Sequence, residues 1–207
     1  IGASAGGLNA LNCFIGALPR EFNFAVVFMQ HLSAKHRSLL PEILHNRRPD
    51  MGITEISDGM RILPGKVFLC PPGKEVSVRD DAFNVMPLSE DHVRLPIDEF
   101  FASLAEYAGD RSIGVIFSGA GTDGARGIQA IRNAGGSVFV QDPETAEFPG
   151  MPAAASSTDR ADRVLPPEEI AREILKLHHV PASALDNEIA FPQFETFPRL
   201  LQEKTGQ

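Results

Sequence analysis

The chain has 207 residues, 43% apolar and 22% charged, with a formal net charge of −8 at neutral pH. That balance excludes a disordered or fibrous chain and fits one globular domain with a short appendage. Acidity, the absence of Trp and a single Tyr also exclude the basic, aromatic-rich footprint of a nucleic-acid-binding domain, and no apolar run reaches the ~18 residues of a membrane span.

The elements follow a strand, glycine turn, helix rhythm. Ile1 reads as the tail of a buried strand, and the N-terminus as a fragment boundary. Leu8, Leu11, Phe14, Ile15 and Leu18 have helical spacing, closed by Pro19. "FAVVFMQ" (Phe24 to Gln30) is a continuous apolar run, as in a parallel strand buried on both faces, and Ser38 to Arg47 reads as a helix. Midway, "KVFLCPP" and "KEVSVRDDAFNVMPL" alternate around Asp80-Asp81 and predict an antiparallel hairpin. Ile97 to Tyr107 is a predicted helix. "SIGVIFS" (Ser112 to Ser118) is a second buried strand, followed by "GAGTDGARG" and a helix to about Ala134. "GSVFVQD" (Gly136 to Asp142) is a third strand, Ala153 to Ser157 a short helix, and Pro166 to Leu177 a helix with Glu168 and Glu169 in its first turn. Alternating βα units predict a doubly wound, mostly parallel α/β sheet with helices on both faces and a small antiparallel hairpin insertion. The domain is expected over 1–180, with a linker or the start of a second domain over 181–207.

Cys13 and Cys70 lie in apolar surroundings without metal-ligand spacing, so both read as buried, inert thiols, consistent with a cytoplasmic location. The basic residues Lys35, Arg37, Arg47 and Arg48 read as a solvated face, or as a face for acidic helices.

Ligands of open parallel sheets bind outside the carboxyl ends of the strands, and three such loops carry reactive groups. Gly2-Ala3-Ser4-Ala5-Gly6 spells G-x-S-x-G between strand and helix, either a nucleophile elbow or a capped turn. A phosphate loop fits less well, because Leu8-Asn9 replaces the Lys-Ser/Thr pair that holds phosphate and magnesium. His31 leaves a buried strand beside that loop, where a general base would stand. Gly119, Gly121 and Gly124 spell G-x-G-x-x-G, with Asp142 placed where a ribose-binding acid would sit. Against a dinucleotide stands Asp123, a carboxylate inside the loop that would have to cradle a pyrophosphate. Together the loops offer Ser4, His31 and Asp123, a serine-hydrolase set in an unusual chain order. A non-catalytic receptor- or partner-binding module and a dinucleotide-binding domain are the alternatives.

The segments "IGASAGGLNAL", "VVFMQHLS", "LPIDEFFASLAE", "IGVIFSGAGTDGARGIQAI", "GGSVFVQDPETAEFPGMP" and "VLPPEEIAREIL" resemble, in order, the catalytic domain of chemotaxis protein-glutamate methylesterases (CheB). The resemblance implies a cytoplasmic hydrolase of glutamyl methyl esters on chemoreceptor helices, with glutamine deamidation often alongside, and a triad of Ser4, His31 and Asp123. It also implies a backbone oxyanion donor at Ala120, where the family commonly carries Met. Ala5 and Gly121 are expected to add backbone donors, and Thr122 and Met151 to lie beside the substrate. The mechanism calls for no metal or cofactor. The tail "FPRLLQEKTGQ" is similar to the start of the partner methyltransferase (CheR), which predicts a methylesterase–methyltransferase hybrid.

Overall fold

The computed structural model describes residues 1–30, 40–88 and 95–178. His31, Lys35, Arg37 and His92 lie outside the described residues, as do the first two residues of the expected second helix and the whole 181–207 segment.

Seven strands form one sheet, in the order β3-β4-β2-β1-β7-β8-β9, and every recorded pairing in it is parallel. They are β1 (Gly2–Ala3), β2 (Val26–Gln30), β3 (Gly52–Glu55), β4 (Lys66–Leu69), β7 (Ile113–Ile116), β8 (Ser137–Gln141) and β9 (Arg163–Leu165). The helices are α1 (Gly7–Gly16), α2 (Leu40–Arg47), α3 (Pro96–Ala108), α4 (Gly127–Asn133), α5 (Gly150–Ser156) and α6 (Pro167–Leu177). The hairpin is β5 (Lys74–Arg79) with β6 (Ala82–Pro87), paired antiparallel. Its two-residue turn puts Asp80 and Asp81 at φ 51° and 62°, the left-handed conformation that matches strand twist in tight hairpins.

The strand side chains alternate between two cores, as a period of two requires. Phe28, Val67, Leu69, Val115, Phe117 and Phe139 face α1 and α6. Met29, Phe68, Ile116, Val138 and Val140 face α3, α4, α5 and the hairpin. Burial on both faces explains why β2, β7 and β8 read as unbroken apolar runs.

Three expectations are corrected, and two strands are added. "KVFL" is not part of the hairpin; it is β4, a parallel strand beside β2, and its buried Val67, Phe68 and Leu69 are the runs of an interior strand. The short edge strands β3 and β9 lack any long apolar run and were not foreseen. Cys13 is exposed while Cys70 is buried, because Cys13 falls on the side of α1 opposite Leu11, Phe14 and Ile15. Arg48 is not part of a solvated face. It is 3% exposed, and its Nη1 donates to the carbonyls of Ile15 and Leu18 at 2.8 and 3.0 Å while Nε and Nη2 grip Asp50. The guanidinium thus ties together the carbonyls of Ile15, near the C-terminal end of α1, and of Leu18, just beyond it.

Candidate active site

Because β1 is the central strand, Ser4 emerges at the carboxyl end of the sheet between β2 and β7. The turn into α1 is made by Gly6, at φ 73°, and Ser4 is not among the residues of positive φ. The left-handed conformation this turn needs therefore rests on glycine, where it costs least. Gly6 also has no room for a side chain: a Cβ there would stand 2.6 Å from Ser118 Oγ.

Ser4 is tied on both sides. Its N–H donates to the Ser118 carbonyl at 3.0 Å, and its carbonyl accepts from Gly7 N at 3.1 Å and from Gln30 Nε2 at 3.2 Å. A Cβ on Gly119 would lie 2.9 Å from Ser4 Cβ and 2.1 Å from Met151 Sδ. The first turn after β1 and the glycine loop after β7 therefore meet at the serine. Among the described residues, the N–H groups of Ala5, Ala120 and Gly121 have no acceptor. Ala120, Gly121 and Thr122 are exposed, so free backbone donors stand at the rim. Met151 is buried, with its sulfur braced against Gly119. Thr122 uses its carbonyl to receive Ala125 N.

Asp123 stands in the same loop, between Gly121 and Gly124 at φ 87° and 93°. Its carboxylate accepts the first-turn amides of α3, from Ile97 at 3.2 Å and Asp98 at 3.0 Å. Burial pushes its pKa above the usual carboxylate value; the Asp98 and Ile97 amides oppose this, and the Asp98 charge adds to it. Ile97 bridges the two sides of the site. It packs where Cβ atoms of Gly2 and Gly124 would be, and with Met29, Gln30, Cys70 and Pro96 it lines one small cavity. The end of β2 thus adjoins both the serine turn and the helix terminus that holds Asp123. His31 itself, the next residue, is outside the described residues.

Asp142, the expected ribose acid, caps the turn that follows β8, its Oδ1 accepting Glu144 N at 3.0 Å. Asp142 Oδ1 is thus engaged in a local turn, and the Asp123 carboxylate is turned to the first turn of α3.

Three supporting residues escaped sequence reasoning. Ser118, 1% exposed, donates from Oγ to the Ala5 carbonyl at 2.8 Å and accepts Phe148 N at 3.0 Å, while its own N–H donates to Gln141 Oε1 at 2.8 Å. It pins the serine turn to the loop before α5. Gln30 and Asp98 are the others. Ser118 and Gln30 each end an apolar strand run with a polar residue, the one signal that could have found them.

The CheB methylesterase family model matches residues 1–174. A solved structure, the CheB methylesterase catalytic domain of Thermotoga maritima, superposes with a TM-score of 0.77 at 28% identity, covering 85% of this chain and 95% of that one. The chain is 38% identical over 183 residues to protein-glutamate methylesterase/protein-glutamine glutaminase 1 of Xanthomonas campestris. It is 35% identical over 181 residues to the corresponding enzyme 3 of Geobacter sulfurreducens. The match covers 86% and 85% of this chain but only 50% and 48% of those proteins. A Leptospira interrogans protein, provisionally named for the same two activities, is 35% identical with 92% of its length covered. A parallel sheet of this order, a serine turn at its central strand and a family match over nearly the whole described chain converge on one conclusion: this chain belongs to the CheB methylesterase family.

Proposed function

We propose that the chain is a serine-dependent protein-glutamate methylesterase acting on methylated chemoreceptor helices, with Ser4, His31 and Asp123 as its triad. The observation that carries this reading is the setting of Ser4. It lies at the carboxyl end of the central strand, against Gly119 and next to the amides of Ala5, Ala120 and Gly121, which have no acceptor among the described residues, in a chain of the CheB methylesterase family.

In this mechanism Ser4 Oγ attacks the ester carbonyl carbon as His31 takes the hydroxyl proton. Asp123 orients the imidazole and stabilises its cation. The oxyanion is received by the Ala5 amide and by Ala120 or Gly121, each donor worth about 3 kcal/mol in the transition state. The C–O bond to methoxide then breaks, and imidazolium returns its proton to give methanol. Water, deprotonated by His31, attacks the glutamyl ester and frees Ser4 and the glutamate carboxylate. The same sequence with ammonia as leaving group is the deamidation in the relatives' names. Each step uses side chains, backbone amides and water.

Ser4→Ala should reduce methanol release from methylated receptor by more than about a thousandfold with an unchanged melting temperature. Ordinary turnover by that variant would overturn the proposal.

A further inference from the structure

We infer that Gln30 is a positioning residue for the oxyanion donor at Ala5. This rests on the assignment of Ser4 as nucleophile. A peptide unit is planar and trans, so the Ser4 carbonyl and the Ala5 N–H point in opposite directions from one rigid plate. Whatever fixes the carbonyl aims the amide. Two donors fix it, Gly7 N at 3.1 Å and Gln30 Nε2 at 3.2 Å. Gly7 N belongs to the first turn of α1 and moves with the serine turn. Gln30 belongs to a neighbouring strand, in register with Ala3, and is the only anchor of that carbonyl, among the described residues, that comes from outside the turn.

The same bond has an electronic effect. Donation to a peptide oxygen polarises the unit and makes its N–H a stronger donor. The oxyanion gains from both aim and strength, and it does so only once charge has developed. Gln30 also immediately precedes His31, so one residue ties the strand end that carries the base to the turn that carries the nucleophile. No apolar residue at position 30 would do either.

The experiment uses Gln30→Met, which keeps length but has no donor, and Gln30→Glu, which donates only when protonated. Gln30→Met should lower kcat on the order of tenfold, less than loss of a whole oxyanion donor, with KM within about twofold because the ground-state carbonyl needs the donor little. For Gln30→Glu, turnover relative to the parent chain should rise as pH falls and the new carboxyl gains its proton. Cys70 and Lys74 face that carboxyl across the small cavity, and Asp123 stands behind Ile97. Cys70 is held as the thiol by a pKa near 12, and taking the ratio to the parent cancels titrations common to both chains. A merely structural role would lower the melting temperature but leave that ratio flat. The inference is overturned by parental kcat in Gln30→Met or by a pH-independent ratio in Gln30→Glu; if Gln30→Met does not fold, the ratio decides. Ser4→Ala is measured in parallel. An active Ser4→Ala sinks the nucleophile assignment, whereas an inactive Ser4→Ala beside a fully active Gln30→Met sinks only the role of Gln30.

Discussion

Asp98 and Asp123 are joined through a backbone amide: Asp98 N–H donates to Asp123 Oδ1 at 3.0 Å, while the Asp98 carboxylate itself receives Gly127 N at 2.6 Å. The terminus of α3 thereby holds one carboxylate and, with the other, caps α4. The second Asp98 oxygen is buried without a partner among the described residues. Burial raises the Asp123 pKa, so the folded chain takes up that proton at a higher pH than the unfolded chain does. The sign follows: Asp123 costs stability increasingly as pH climbs from the usual Asp value of 3.8 through its folded pKa, and the cost is absent below both. Asp123→Asn should remove this dependence, so that its stability relative to the parent rises as pH climbs from 3.8 through the raised pKa of the folded parent, while ester hydrolysis is lost. Urea unfolding across that range checks it, and a relative stability that falls with pH would refute the assignment.

Removing the Ser118 hydroxyl, whose residue is 1% exposed, leaves the Ala5 carbonyl and the Phe148 amide each short of a part-buried hydrogen bond. Ser118→Ala should cost about 2 kcal/mol in denaturant unfolding and should lower turnover as well, because it frees the serine turn.

Gly119 separates a packing effect from a catalytic one. An added Cβ would meet Met151 Sδ at 2.1 Å and Ser4 Cβ at 2.9 Å. Met151→Ala should restore much of the stability lost in Gly119→Ala, since it opens the tighter contact. Turnover should stay low in the double variant, because the contact with Ser4 remains. A double-mutant cycle in both observables measures the difference.

Arg48 is a buried clamp rather than a surface cation. Arg48→Ala leaves the carbonyls of Ile15 and Leu18, and Asp50, without the guanidinium, and should destabilise the fold by about 3 kcal/mol. Unfolding by urea reads this directly; a loss under about 1 kcal/mol, the range of surface pairs, would contradict the clamp.

The two thiols should separate by reactivity. Cys13 is exposed, whereas Cys70 is buried and its pKa is pushed up to about 12 by burial, with Glu55 adding. An aromatic disulfide reagent at neutral pH should modify one thiol in the native protein and two in denaturant, with Cys13→Ser abolishing the native reaction.

Much of this was legible because parallel strands buried on two faces leave unbroken apolar runs: β2, β7 and β8 fall within the stretches their composition marks, as does α6, and α3 exceeds its expected span by one residue at each end. The serine turn and the glycine loop were legible as strand-end loops, and the structure sets them side by side. Strand β4 was misread because "KVFL" is short and abuts a true hairpin, so only pairing distinguishes them. Edge strands β3 and β9, exposed or half-buried at most positions, carry no such run. The supporting contacts of Ser118, Gln30 and Asp98 were illegible for another reason. Each is a single polar side chain whose meaning lies in a partner more than twenty residues away, and sequence spacing holds no record of such partners.

The order of strands has a last consequence. The contacts described around Ser4 come from the middle strands β2, β1 and β7, from Gln141 of β8, from the α3 terminus and from α5, while the outermost strands, β3 and β9, supply no side chain to them. Fraying at either margin should leave ester turnover intact, whereas any opening that parts β1 from its two neighbours extinguishes it at once. Hydrolysis is therefore a reporter of the integrity of the molecule's midline and is blind to its borders.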